Sequence, residues 1–296
     1  MVEMIIPKVV DWRLTYVCNQ RCPFCYGPEK EAELDTGEAL NIINLLAKLG
    51  VEAIVITGGE PLLRKDLPII IKAIKDHDLK VYVSTNGDFY MKRREEIEEY
   101  LDALILPIDG YSATTHDQLR ANGNFERVTE ILASISSQQA RLRINVGTVV
   151  CRENMNELNM IERMLSKYQI HLWKVYQFIP YTDRKLQKKW NEWSLGINEE
   201  QFQIVVCNLG EYLPRDRILV SLRQDRNRAY FMINPGGNVV LPIDSDVGYK
   251  DVILGNLVRN DVAGILTEWE HAVELVNYVA NAQKTFSHSF GLGGGF

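Results

Sequence analysis

Residues 16–26 read YVCNQRCPFCY, and they place three of the five cysteines of the chain within eight residues. In a reducing compartment, where disulfides are rare, thiols at such spacing bind metal or take part in catalysis. A closed structural zinc site needs four ligands, and no second Cys-x-x-Cys or His-x-x-His pair follows downstream. An iron–sulfur cube takes one thiolate per iron, so three cysteines leave one iron open. Cys18, Cys22 and Cys25 therefore predict an iron–sulfur site with one position left for another molecule.

The cysteine-rich segment follows the first of six short β-branched runs. These runs alternate with longer amphipathic segments, which is the pattern of βαβ units around a parallel sheet. The predicted strands are 7–15, 53–57, 80–85, 103–108, 141–149 and 171–178. The predicted helices are 36–49, 66–78, 92–100, 124–139, 154–168, 198–213 and 261–283. The sequence thus predicts the α/β class and a partial (β/α)6 barrel of the TIM type. The cysteines would lie at the carboxyl end of its first strand, where such barrels bind ligands.

The pattern changes after residue 180, which predicts a carboxy-terminal α/β extension. We expect a barrel core at 1–180, an extension at 181–283 that closes the barrel, and a flexible glycine-rich tail at 284–296. In the extension, YFMINPGGNVVLP predicts two strands joined by a turn. Pro235 would occupy its second position and Gly236 the position that needs positive φ.

The composition excludes several classes of protein. With 46% hydrophobic and 24% charged residues, the 296-residue chain is expected to be soluble and globular. A net charge of −6 argues against a general DNA-binding or anionic-membrane partner. The chain shows neither a signal peptide nor an apolar run of about 18 residues, which predicts a cytoplasmic protein without a membrane span. Cys151 and Cys207 are interpreted as ordinary buried thiols.

Two motifs together resemble the radical S-adenosylmethionine (SAM) superfamily. CNQRCPFCY matches its C-x3-C-x2-C signature, and TGGEPLL at 57–63 resembles its Gly-Gly-Glu-Pro motif at the end of the second strand. The resemblance implies a [4Fe–4S] cluster on the three cysteines and SAM on the open iron. It also implies reductive cleavage of SAM, hydrogen abstraction from a substrate, and a flavodoxin- or ferredoxin-type electron donor.

The resemblance further implies a set of SAM-binding residues at the strand ends. They are Phe24, Gly58, Gly59, Glu60, Ser84, Asn86, Asp109, Arg120 and Val149. Other interpretations stay open for several of them. The glycines also suit a plain strand-to-helix turn, and Thr-Asn-Gly at 85–87 suits a turn without a ligand. Arg120 also fits an exposed helix start, and Val149 fits the core.

The layout most resembles the viperin-like branch, which converts a nucleoside triphosphate to its 3′-deoxy-3′,4′-didehydro form. The segments DWRLTYVCNQRCPFCY, RINVGTVVCRENMNE and WKVYQF follow the order of related segments in that branch. The resemblance implies that Arg143 and Lys174 hold the triphosphate. Asp11 and Arg13 stand where the branch has Asn and His, and the acidic stretch YGPEKEAE is a further departure.

Two other functions stay open. A radical enzyme acting on a peptide or on a small molecule such as a sugar is the first, and the aromatic segment from Trp173 to Trp193 would then line its channel. A non-catalytic cluster protein that senses redox state is the second. The intact TGGEP motif argues against a sensor, because a sensor would not need the SAM-contacting turn.

Overall fold

The fold is that of a computed structural model, which describes residues 5–27, 29–137, 142–181, 195–245, 248–274 and 278–279. Within these residues a ten-stranded sheet has the order β10-β9-β8-β1-β2-β3-β4-β5-β6-β7. The strands are β1 Val9–Thr15, β2 Ala53–Gly58, β3 Lys80–Ser84, β4 Ala103–Pro107, β5 Arg143–Val150, β6 Leu172–Gln177, β7 Ile218–Ser221, β8 Met232–Ile233, β9 Asn238–Ser245 and β10 Gly248–Asn256. The helices are α1 Thr36–Leu49, α2 Leu67–Asp76, α3 Tyr90–Ile97, α4 Ala113–Leu119, α5 Asn124–Ser137, α6 Leu158–Leu165, α7 Glu199–Cys207 and α8 Val262–Ala272.

Strands β1 to β7 pair in parallel with their neighbours in the chain and form the wall of a partial barrel. The predicted α/β class is confirmed, and each of the six predicted strands ends within two residues of its predicted bounds. Helix α1 has the predicted bounds because its signals are local. Asp35 and Glu38 form a capping box, and Gly50 ends the helix with a φ of 85°.

Alternate residues of each barrel strand face opposite sides of the sheet. On β1, Val10, Trp12 and Leu14 pack into the main core beneath the helices. The residues between them face the barrel interior. The bottom of that interior is filled by a small apolar cluster, which we call the floor cluster: Val9, Ala53, Val55, Tyr82 and Ala103. The open end of the barrel therefore lies at the carboxyl ends of the strands.

The extension adds strands at both edges of the barrel sheet. Strand β7 pairs with β6, and β8 pairs with β1 on the other side. Arg223, after β7, forms an ion pair with Asp244 of β9, and this pair joins the two edges. The sequence analysis missed β7, β10 and α4. The division into core and extension stays a prediction, and the tail at 284–296 lies outside the described residues.

Several sequence expectations for the carboxy-terminal half were wrong. The helices predicted at 198–213 and 261–283 end at Cys207 and Ala272. In the turn at 234–237 the residue with positive φ is Gly237, at 83°, and not Gly236. The turn closes between Gly237 and Asn234, so the left-handed residue comes one position later, as in hairpins with a bulge. Cys151 is buried as expected, but Cys207 is exposed. No helix among the described residues is long and apolar enough to cross a membrane.

Glu162 joins α6 to the segment that leads into β7. One oxygen of its fully buried carboxylate accepts hydrogen bonds from the amides of Gly210, Tyr212 and Leu213, at 3.0, 2.9 and 2.8 Å. A side chain of a helix thereby satisfies three amides of a loop, which fixes the path of the chain into β7.

Glu162→Ala is expected to lower the free energy of unfolding by at least about 2 kcal/mol, because buried amide groups lose their acceptor. Denaturant unfolding measures the change, and Glu130→Ala on the exposed face of α5 is the matched control. A loss no larger than that of the control would contradict this role.

Candidate active site

A cavity of about 280 Å³ lies inside the barrel and reaches the carboxyl ends of its strands. Cys18, Cys22 and Cys25 lie on its wall. The volume is several times that of a water molecule, so the cavity can hold an organic ligand. The other predicted site residues on the wall are Phe24, Gly58, Gly59, Ser84, Asn86, Arg120, Val149 and Lys174.

Gly58 and Gly59 lie where the end of β2 touches the segment that carries the cysteines, residues 16–27, here called the cysteine loop. A Cβ atom on Gly59 would lie 2.2 Å from the carbonyl oxygen of Val17, and one on Gly58 would lie 2.4 Å from that of Thr15. The amides of Gly59 and Glu60 donate to these carbonyls of Thr15 and Val17 at 2.6 and 2.7 Å. Side chains are excluded at both glycines, and the backbone bonds fasten the cysteine loop to β2.

The side chain of Glu60 is buried and lies off the cavity wall. Its carboxylate accepts hydrogen bonds from the amide of Leu62 at 2.9 Å, the hydroxyl of Thr85 at 2.7 Å and the amide of Asn86 at 2.7 Å. Burial raises the pKa of Glu60 to about 7, although these bonds lower it. The Glu60 carboxylate thus ties β2 to the loop after β3, and its contact with the cofactor stays a prediction.

Asp88 connects the cysteine loop to the loop after β3 and to α5. Its carboxylate accepts hydrogen bonds from Asn19 at 2.6 Å and Gln20 at 2.9 Å, both between Cys18 and Cys22. It also accepts from Asn124 at 2.8 Å and Arg127 at 2.7 Å. These bonds lower the pKa of Asp88, and the carboxylate stays ionised near neutral pH. The sequence analysis missed this residue, and its only signal was its place after the Thr-Asn-Gly turn.

Arg120 ends α4 and lies against the cysteine loop. Its guanidinium carbon is 4.8 Å from the centre of the Phe24 ring, and Nη1 is 3.9 Å from Sγ of Cys22. Asp109 is fully buried off the wall, accepts from Nε of Arg120 at 2.6 Å, and accepts from the amide of Val149 at 2.7 Å. Asp109 therefore orients Arg120, and its contact with the cofactor stays a prediction. The alternative interpretation, that Arg120 is an exposed residue at the start of a helix, is wrong, because Arg120 lies at the end of α4 and packs on Phe24.

The surroundings of the thiols suit thiolate ligands. The sulfur atoms of Cys18 and Cys25 each accept a hydrogen bond from the amide two residues further on, at 3.4 and 3.3 Å. Donors of this kind, with Arg120 beside Cys22, stabilise sulfur that carries negative charge. Burial raises the pKa of Cys18 to about 11 and that of Cys22 to about 12, so both thiols are protonated at neutral pH without metal. Metal binding then releases these protons. The three residues fit an iron–sulfur cluster.

Two cations line the part of the cavity formed by β6 and the extension. Lys174 is 9% exposed, and its Nζ lies 5.0 Å from the centre of the Tyr176 ring. The guanidinium carbon of Arg226 lies 5.5 Å from the same ring, and its Nη2 donates to the carbonyl of Gln177. Arg226 was missed by sequence reasoning, because it reaches the cavity only through the path of the chain after β7.

Arg143 is not on the cavity wall. It is the exposed first residue of β5, and it pairs with Ala103 of the floor cluster. Like the side chain of Asn145, that of Arg143 is on the inward face of β5. Arg143 lies two residues nearer the amino end of the strand, at the level of the floor cluster. Its contact with substrate stays a prediction, and the geometry of the cavity gives it no support.

Tyrosine is prominent on the cavity wall. The tyrosines found there are Tyr26, Tyr82, Tyr176, Tyr181, Tyr230, Tyr249 and Tyr278. Trp173 packs in the main core, where its indole N–H donates to Thr148 at 2.8 Å. Trp190 and Trp193 lie outside the described residues. Tyr176, Phe178 and Tyr181 of the expected aromatic segment thus line the cavity, and their use as a substrate channel stays a prediction.

The sequence model of the radical SAM superfamily matches residues 12–165, more than half of the chain. The chain therefore belongs to this superfamily. It is an enzyme with radical chemistry, and its cofactors are a [4Fe–4S] cluster and SAM.

Proteins with several different activities have sequences similar to that of this chain. The chain is 32% identical to an AdoMet-dependent heme synthase of Methanosarcina barkeri over 59% of its own length, but it spans only about half (51%) of that protein. It is 26% identical to an S-adenosylmethionine-dependent nucleotide dehydratase of Flammeovirga pacifica, over 84% of this chain and 87% of that protein. The fold matches SAM-bound SuiB of Streptococcus suis with a TM-score of 0.68 at 13% identity, over 90% of this chain and 66% of SuiB.

Asp88→Ala is expected to increase the rate at which reconstituted protein loses iron to a chelator by about tenfold or more. Two residues between Cys18 and Cys22 lose their shared acceptor, so the cysteine loop becomes less ordered. The rate is followed by absorbance of the released iron complex under anaerobic conditions. Asp76→Ala, at an exposed ion pair of α2, is the control. Iron loss at the rate of the control would contradict the role of Asp88.

Proposed function

We propose that this enzyme acts on a nucleoside triphosphate and converts it to the 3′-deoxy-3′,4′-didehydro form. The observation that carries the proposal is one cavity whose wall includes both the three cysteines and the cations Lys174 and Arg226. Ammonium and guanidinium groups are the usual protein partners of phosphate oxygens. The similarity to the nucleotide dehydratase along most of both chains supports the same substrate class.

In this proposal, Cys18, Cys22 and Cys25 hold the cluster, and the carboxyl ends of the neighbouring strands hold SAM. When bound, the cluster and SAM supply a 5′-deoxyadenosyl radical through one-electron cleavage of the sulfonium. The proposed SAM contacts are the backbone of Gly58 and Gly59, the side chains of Ser84, Asn86 and Arg120, and the apolar surfaces of Phe24 and Val149. Asp109, Glu60 and Asp88 hold these groups in place through their hydrogen bonds.

On the substrate side, Lys174 and Arg226 bind the triphosphate, and Tyr176 packs between them. The ribose then lies between the phosphates and the cysteine loop. Its 4′ hydrogen atom and its 3′ hydroxyl leave, so the nucleotide loses the elements of water. The full reaction takes up two electrons and one proton and yields 5′-deoxyadenosine and methionine. We propose a flavodoxin- or ferredoxin-type donor for the electrons and a cytoplasmic setting.

A peptide is the second candidate substrate. The tyrosine-rich wall favours it, because aromatic side chains offer broad apolar contact to a peptide. The fold is shared with SuiB, whose structure with its precursor peptide SuiA aligns with a TM-score of 0.66. That likeness concerns the fold at 13% identity. Lys174 and Arg226, on the part of the wall formed by β6 and the extension, favour the nucleotide.

Release of 5′-deoxyadenosine is expected to rise when one of CTP, UTP, GTP or ATP is added to reconstituted, dithionite-reduced protein. Lys174→Ala and Arg226→Ala should each raise the KM for that nucleotide by about tenfold, with a smaller change in kcat, because phosphate contacts persist from the bound state to the transition state. Chromatography of 5′-deoxyadenosine gives both constants. Lys72→Ala, an exposed lysine of α2, is the control.

Cys22→Ala should abolish both cluster assembly and 5′-deoxyadenosine release. If the four nucleotides leave the rate unchanged and a peptide raises it, the peptide function replaces the nucleotide one. If the KM values of both cation variants equal that of the control, the proposed triphosphate site is wrong.

A further inference from the structure

The carboxylate of Asp11 lies inside the cavity, at the middle of β1. Within the described residues it accepts no hydrogen bond from any side chain or amide. Lys174 and Arg13 are near enough to lower its pKa, but burial outweighs them and raises the pKa to about 6. Asp11 is half-buried on the cavity wall, and a carboxylate that has lost part of its hydration there favours a cationic partner.

The other groups around Asp11 do not supply that partner. Arg13 is turned to Asp251 and Asn234, with which its Nη1 forms an ion pair and a hydrogen bond. Tyr26, Tyr176 and Tyr278 are close enough to Asp11 for their phenols to interact with it electrostatically. Lys174 also lies on the cavity wall, and its charge lowers the pKa of Asp11 without a hydrogen bond between them.

A second polar group in the same cavity lacks a partner. Asn145 is 5% exposed, lies on the cavity wall, and its Oδ1 accepts no hydrogen bond among the described residues. Its neighbour along the inward face of β5 is Gly147, which pairs with Lys174 of β6. The cavity therefore holds a carboxylate and an amide oxygen close to the lysine proposed for the triphosphate.

A triphosphate and a carboxylate repel each other unless a cation lies between them. Mg²⁺ suits this position, since it takes oxygen ligands and is commonly bound by one or two carboxylates together with substrate phosphates and water. Asp11 and Asn145 together offer fewer oxygen ligands than an octahedral Mg²⁺ ion takes. A cation would therefore enter with the nucleotide.

We infer that Asp11, with Asn145, forms the protein half of a Mg²⁺ site that the triphosphate of the substrate completes. The inference rests on the proposed function. A Mg²⁺ site at this position makes the cavity bind the magnesium complex of the nucleotide more tightly than the free nucleotide. Lys174 and Arg226 then neutralise the phosphate oxygens that the cation does not cover.

The test measures nucleotide binding to reconstituted protein with SAM, by calorimetry, with excess Mg²⁺ and with excess EDTA. CTP, UTP, GTP and ATP are the probes. Wild-type protein should bind one of them at least tenfold more tightly with Mg²⁺. Asp11→Asn should lose most of this difference, and it should bind the metal-free nucleotide at least as tightly as the wild type does. Asp76→Asn is the control for loss of an acidic charge.

Equal affinities with and without Mg²⁺ in the wild type would overturn the inference, as would an unchanged Mg²⁺ effect in Asp11→Asn. If Asp11→Asn changes which of the four nucleotides binds most tightly but keeps the Mg²⁺ effect, then Asp11 contacts the base, and the inference is also overturned. If no nucleotide binds under either condition, the proposed function itself fails. The electron paramagnetic resonance spectrum of Mn²⁺ gives a second measure. It should change on addition of nucleotide to wild-type protein and not to folded Asp11→Asn.

Discussion

The contact between the two glycines at the end of β2 and the backbone of residues 15–17 sets the geometry of the whole site. The register of β1 against β2 shifts between Arg13 and Thr15, which turns the chain out of the strand and into the cysteine loop. Gly59 then lies so close to that loop that a single Cβ atom would meet backbone. Since backbone atoms cannot move aside as a flexible side chain can, this contact positions the first thiol relative to the barrel.

The remaining positioning groups form a chain of hydrogen bonds around the cysteine loop. Glu60, at the end of β2, accepts hydrogen bonds from Thr85 and Asn86 in the loop after β3. Asp88, in the same loop, accepts one from Asn19 of the cysteine loop. On the other side, Asp109 holds Arg120 beside Cys22. Hydrogen bonds at several points restrict the path of the cysteine loop, so we expect the thiols to be held near their working positions before a cluster binds.

Local signals in the sequence predicted much of the fold and the cofactor end of the site. The bounds of α1 follow from a capping box and a left-handed glycine, and the motifs follow from their places at strand ends. Tertiary contacts account for what the sequence did not reveal. The carboxylates of Glu60 and Asp109 bind groups from other parts of the barrel, Thr85 and Asn86 after β3 for Glu60 and Arg120 and Val149 for Asp109. Strand β7 is only four residues long and is defined by its pairing with β6.

The substrate end was harder to predict because its residues come from distant parts of the chain. Arg143 has the inward direction that its strand position implies, but the floor cluster lies at its level. Arg226 belongs to the extension, whose path the periodicity of the sequence does not reveal. Asp11 was noticed only as a departure from a resemblance, and the role inferred for it depends on its place on the cavity wall with Lys174.

Amide hydrogen exchange in the cluster-free protein tests most directly whether the fold itself positions the cysteine loop. The amides of Gly59 and Glu60 donate to Thr15 and Val17, so they should be protected to within about tenfold of the Ile56 amide in the middle of β2. Exchange of both amides at the rate of an exposed loop, with Ile56 still protected, would contradict the account. It would mean that the cluster, and not the glycine contact, orders the site.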